Sequence, residues 1–122
     1  MNNREKGYFY EERAMEIFKE KGYEILEKNY YTKVGEIDFI SMKDEMLVFV
    51  EVKYRKNNNF GSGAEAVTKS KLKKIFLASQ KYMLYNKLKF NSYRYDLIVF
   101  TGKEVEWMQD ILRGDEIGCY MP

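Results

Sequence analysis

Histidine is missing from all 122 residues, which removes every mechanism that needs an imidazole base, including the usual serine and cysteine triads. One cysteine, Cys119, leaves no internal disulfide framework, and no cysteine or histidine cluster is available for structural zinc. A reducing, cytoplasmic setting is expected. Proline occurs once, at Pro122, and no repeat or Pro/Ser-rich linker divides the chain. There is no apolar run of about eighteen residues, and the opening MNNREK does not lead into an apolar segment, so neither membrane spanning nor secretion is expected. If the chain is an enzyme, carboxylates, lysines or a metal ion carry its chemistry.

Hydrophobic residues (45%) and aromatics (16%) are plentiful, and at this length they fit a single domain over residues 1–122 with one core. The net charge of +2 conceals a strong asymmetry along the chain. Residues 1–51 carry a net −4, residues 52–95 a net +10 with Glu65 as the one acid, and residues 96–122 a net −4. A central block that basic suits a phosphate backbone, which attracts lysine and arginine whatever the base sequence. A solvated lysine-rich helix face is the plainer explanation of the same block.

Apolar periodicity outlines the elements. Tyr10, Ala14, Ile17 and Phe18 recur at helical spacing, predicting a helix from about Tyr8 to Lys21 with Gly22 as its left-handed cap. Tyr23 to Lys28, Glu36 to Ser41 and Met46 to Tyr54 read as strands, the last two joined as a hairpin through Lys43, Asp44 and Glu45. Asn57 to Gly63 is a loop by composition. Thr68 or Ser70 then caps a helix that ends near Tyr85, burying Leu72, Ile75, Phe76, Ser79, Tyr82 and Met83. Arg94 to Thr101 and Glu104 to Met108 return as strands around a turn at Gly102 and Lys103. The order α-β-β-β-α-β-β predicts an α/β sandwich with a mixed central sheet flanked by helices. Residues 109–122 form an extension to which no role is assigned; Trp107, Arg113 and Cys119 read as core or surface positions.

Charges inside the apolar strands raise the functional question. Side chains alternate along a strand, so Glu51, Lys53 and Arg55 share a face with Leu47 and Phe49, while Val48, Val50 and Val52 line the other. In the preceding strand Glu36 and Asp38 share one face, and Ile37 and Phe39 take the opposite one. If the two strands pair, the carboxylates converge, and buried like charges call for a cation such as magnesium or a lysine. The alternative is that Glu51 and Lys53 neutralise each other, or that both sit on a solvated edge strand. On the first helix Glu11 shares a face with Ala14, Met15 and Phe18, either as a third inward carboxylate or as a first-turn acid complementing the helix dipole.

Asp38 followed after twelve positions by Glu51-Val52-Lys53 resembles the PD-(D/E)XK nuclease signature, with Ile37 in the place of the proline. GEIDFI at Gly35 to Ile40, VFVEVKYR at Val48 to Arg55, Phe60-Gly61, AVTKSK at Ala66 to Lys71 and RYD at Arg94 to Asp96 resemble the bacterial YraN-like family, described as predicted nucleases. Archaeal Holliday-junction resolvases are also similar in setting a helix-one glutamate beside an aspartate and an ExK strand. The resemblance implies a restriction-endonuclease-like three-layer sandwich and metal-dependent hydrolysis of phosphodiesters, most readily in DNA. It implies Glu11, Asp38, Glu51 and Lys53 as catalytic residues. Asp38, Glu51, Glu11 and the Val52 carbonyl would hold magnesium or manganese, both of which favour hard oxygen ligands. Arg55, Lys56, Lys71, Lys73 and Lys74 would grip backbone phosphates, and cutting a four-way junction would further imply a homodimer. A module that binds nucleic acid without cutting it, working beside a partner enzyme, is the rival expectation.

Overall fold

A computed structural model describes residues 1–56 and 67–112. The elements are α1 (Asn3–Glu20), β1 (Glu24–Thr32), β2 (Gly35–Lys43), β3 (Met46–Arg55), α2 (Lys69–Tyr85), β4 (Ser92–Thr101) and β5 (Glu104–Met108), in the expected order. The five strands form one sheet in sequence order, antiparallel except for the parallel pair β3/β4. That pair needs a crossover, which the segment containing α2 supplies. No helix among the described residues is long and apolar enough to cross a membrane. The expected loop from Asn57 to Gly63, with Phe60 and Gly61, lies outside the described residues, as do Glu65, Ala66, Arg113 and Cys119.

Alternation along β3 makes the sheet the middle of three layers. Leu47 and Phe49 pack with Ile75, Phe76 and Tyr82 of α2, whereas Val48 and Val50 pack with Ala14, Met15 and Phe18 of α1. Burying both faces of β3 explains its near-continuous apolar run. The hairpin between β2 and β3 turns through Asp44 and Glu45, both left-handed (φ 51° and 62°), the conformation of a tight two-residue turn.

Four expectations are corrected. The first helix begins at Asn3 rather than Tyr8, because Asn2 caps it by accepting from the Glu5 amide at 2.9 Å while Glu5 accepts from the Asn2 amide group. The first strand runs on to Thr32 rather than stopping at Lys28; Asn29 is left-handed (φ 49°), but pairing resumes with Tyr30 opposite Ile37. In α2 the buried stripe includes Ala78, whereas Leu72 and Met83 are only partly buried. Ile37 and Phe39 do not share a face: Ile37 packs on the α2 side and Phe39 on the α1 side. The two-residue period therefore breaks at Asp38, opposite Asn29, where the strands are locally unpaired.

Beyond β5 the chain folds back on β4. The Asp96 carboxylate, 1% exposed, accepts from Arg94 Nε and Nη2 at 2.8 Å, Trp107 Nε1 at 2.9 Å and the Asp110 amide at 3.0 Å. Arg94 also donates to the Tyr23 hydroxyl at 2.9 Å. Burial opposes the guanidinium charge, but the bonds to Asp96 and Tyr23 outweigh it and raise the Arg94 pKa. The RYD motif is thus a structural clamp on the α1 side. Of the two readings given for Trp107, core and surface, packing is the outcome: it is partly buried against the α1 cluster, its ring tilted on Phe18 at 4.1 Å.

Candidate functional site

The sheet forks where the charged residues lie. Pairing between β2 and β3 runs from Lys43 opposite Met46 to Phe39 opposite Val50 and then stops. Beyond that point β2 stays with β1 and β3 stays with β4. In the gap the Asp38 side chain takes over the ladder, its Oδ2 accepting from the Val52 amide at 2.8 Å. A strand amide that would otherwise lose its partner is satisfied, and the carboxylate is fixed beside Glu51.

Glu51 is 4% exposed, and its Oε2 has no hydrogen-bond partner. Its Oε1 lies 3.7 Å from the Lys71 ammonium, which also stands 3.6 Å from Glu36. Desolvation, then the Asp38 charge, pushes Glu51 up to about 8, against the smaller opposing pull of Lys71 and Lys53. Asp38 is also raised, mainly by desolvation, although the Val52 amide, Lys71 and a bond from Glu51 oppose the rise. Two adjacent buried carboxylates do not both ionise readily without more positive charge, so the pair binds a proton more tightly than either acid would alone, with desolvation acting on both.

Glu11 joins from α1. Its pKa is raised to about 7, first by desolvation and next by the field of Asp38, while a hydrogen bond with Asn29 works the other way. Tyr10 docks this part of α1, stacking on Tyr54 at 4.4 Å and meeting Phe100 at 4.9 Å. Each such ring pair contributes about 0.5–1.5 kcal/mol, so the orientation of Glu11 is set by packing as well as by charge.

The structure brings Glu11, Asp38, Glu51 and Lys53 to one locus, with Lys53 half-buried on the strand face of Glu51. The cation that pairs directly with Glu51 is Lys71, which sequence reasoning assigned to phosphate contact. Lys56, Lys73 and Lys74 are exposed, while Arg55 Nε donates to Thr101 on the neighbouring strand at 3.1 Å. Lys69, Lys71, Lys73 and Lys74 crowd the first turns of α2, which has no acid in its first turn although Thr68 caps it. Cations at a helix N-terminus oppose the dipole, so this end of the helix is strongly electropositive. The sequence reading passed over Asn29 and gave Lys71 a different role. Asn29 left a trace, as an asparagine within an apparent strand marks a left-handed position; the inward aim of Lys71 left none.

Among the described residues no three acidic, histidine or cysteine side chains converge as a preassembled metal cage. The donor set nevertheless fits a hard divalent cation: carboxylate oxygens, one of them buried without a partner, and more negative charge than Lys71 offsets.

The family model described as "Uncharacterised protein family UPF0102" matches residues 10–100, which include Glu11, Asp38, the Glu51-Val52-Lys53 strand, Lys71 and the Arg94–Asp96 clamp. A UPF0102 protein of Fusobacterium nucleatum subsp. nucleatum is 43% identical over 97% of this chain and 99% of its own length. Others from Sulfurihydrogenibium sp. (40% identical, 86% of this chain and 91% of the relative) and Clostridioides difficile (45%, 80% and 86%) are similar over most of their lengths. With a family match from Tyr10 in α1 to Phe100 in β4, and a relative aligned over 97% of the chain, the chain belongs to the UPF0102 family.

Proposed function

We propose that this protein is a metal-dependent nuclease of the PD-(D/E)XK, restriction-endonuclease-like class that hydrolyses phosphodiester bonds in DNA. The observation that carries the reading is the fork in the sheet, with Asp38 pinned by the Val52 amide against a buried Glu51 that lacks a partner on one oxygen. A fold that only needed stability would fill this position with an apolar side chain.

Asp38 and Glu51, with the Val52 carbonyl and Glu11, would hold magnesium or manganese. The ion would supply Lewis acidity and bring the pKa of a water toward neutrality. Around it, each residue has a task set by its environment. Asp38 is oriented before substrate arrives, so little reorganisation is needed. Without the ion, burial and then the Asp38 charge raise Glu51 to about 8 and Glu11 to about 7, so binding the ion would displace protons held near neutral pH. Lys53 offers a fixed positive charge to the phosphate as negative charge develops there. Lys71 lies between the acids and the basic end of α2, where Lys73 and Lys74 give sequence-independent attraction to the strand.

Lys71 also motivates a second reading, in which its ammonium takes the place of a metal ion and the protein binds DNA without cutting it. Labelled linear, flapped and four-way-junction DNA, incubated with EDTA, magnesium or manganese, separates the two. Cleavage that requires the metal and disappears in Glu51→Ala and Lys53→Ala is the expected result. Binding that persists in well-folded protein with no cleavage of any substrate would refute the nuclease reading and leave the binding module.

A further inference from the structure

A second concavity adjoins the acids on the side of the basic end of α2. It encloses about 360 Å³ between the turn joining β1 to β2 and the start of α2, and its walls include Tyr31, Lys33, Glu36, Lys71 and Lys74. Glu36 and Lys71 belong to both the cavity and the acid cluster, so the two are continuous. Gly35 makes the junction tight: a Cβ there would lie 2.5 Å from the Lys74 carbonyl oxygen, which brings the turn directly against the helix backbone.

Tyr31 is the tyrosine that lines this cavity. Its neighbour Tyr30 packs edge-on against Tyr82, yet Tyr31 leaves 65% of its surface in water. Its hydroxyl is felt by the site nonetheless; the pKa is raised by desolvation and then by Glu36, with Tyr8, Glu11 and Asp38 adding to it. An exposed ring beside two lysines, next to a place suited to a phosphodiester, combines the two parts of single-strand recognition: a stacking face and a backbone counter-charge. Paired bases cover their faces by stacking on each other, so only an unpaired base can present its face to such a ring.

We propose that this cavity is a single-nucleotide subsite in which an unpaired base stacks on Tyr31 and the adjoining phosphate meets Lys33 and Lys74. The inference rests on the reading of the neighbouring site as one that engages DNA, and it makes strands with unpaired nucleotides, at flaps, ends or branch points, the preferred form. The cavity is of a size to take one nucleotide, being at the small end of ligand sites at about 300–1,000 Å³.

The test is fluorescence anisotropy in EDTA with the full chain, using a fluorescein-labelled single strand and the blunt duplex of the same sequence. Tyr31→Ala is expected to weaken single-strand binding by roughly 5- to 150-fold, the loss of one base–aromatic stack, and to leave duplex binding within about twofold. Tyr31→Phe, which keeps the stacking face, should bind both as the wild type does. An unchanged single-strand affinity in Tyr31→Ala, or an equal loss on both DNAs, overturns the subsite while leaving the nuclease reading intact, since wild-type duplex binding persists. Wild-type protein that binds neither DNA overturns both.

Discussion

Replacing Glu51 by glutamine removes the one charge that the fork cannot neutralise, so its effect on stability should depend on pH with a definite sign. Glu51 is raised from the ordinary value of 4.5 to about 8. The folded chain therefore holds this proton more tightly than the unfolded chain. Below pH 4.5 the preference is fully realised as stability, and it is lost as the pH climbs toward 8. At ~1.4 kcal/mol for each pH unit, the loss amounts to on the order of 3–5 kcal/mol for the buried pair. The amide introduced by Glu51→Gln has nearly the same shape, can turn its carbonyl toward Lys71 and never ionises. Thermal melts of wild type and Glu51→Gln should agree within a few degrees at pH 5, whereas at pH 9 the variant should melt higher by about 10 °C. Glu11 tilts both curves alike, so the gap between the proteins is what matters. Magnesium should narrow the gap at pH 8.5 by binding the native wild type alone. A gap that stays constant between pH 5 and pH 9 would refute the account of the buried dyad.

Asp96→Asn should be among the most damaging single substitutions, costing about 3–5 kcal/mol in urea denaturation, because the partly buried Arg94 loses its counter-charge and an amide nitrogen then faces donors at a buried position; a loss below about 1 kcal/mol would sink the clamp. Gly35→Ala should cost about 1–3 kcal/mol as the new methyl group forces the turn away from α2, and faster amide hydrogen exchange across the first turns of α2 would register it. Unaltered exchange there would mean that the close approach of Gly35 to Lys74 does not matter.

Most of the scaffold was legible because apolar periodicity reports burial directly. The run LVFV before Glu51 marked a central strand, and Leu47 and Phe49 do face one helix while Val48 and Val50 face the other. Asp38 and Glu51 could be brought together from strand parity alone. Parity failed one residue away, at Ile37, because it assumes an unbroken ladder; the chain instead twists at Asp38 opposite a left-handed Asn29. The cation on Glu51 was legible as a need but not as a residue, since Lys53 was near in sequence and Lys71 was near only after α2 had packed on the sheet. The role of RYD was hidden for the same reason: the acceptor capacity of Asp96 is taken up by Trp107 and Asp110 as well as by Arg94, and the first two reach it only once β5 has paired with β4.

The Asp96 clamp also bears on the order in which the chain matures. Arg94 reaches a tyrosine 71 positions earlier, and Trp107 packs on Phe18 of the first helix. During synthesis α1 therefore emerges long before the strands that cover its apolar face, and the hairpin of β2 and β3 can form while Phe18 and Tyr23 still lack Arg94 and Trp107. Contacts of such long range are slow to close, and chaperones bind surfaces left open in this way. The α1 side of the core should lock only after residue 110 has left the ribosome, as the last step of folding.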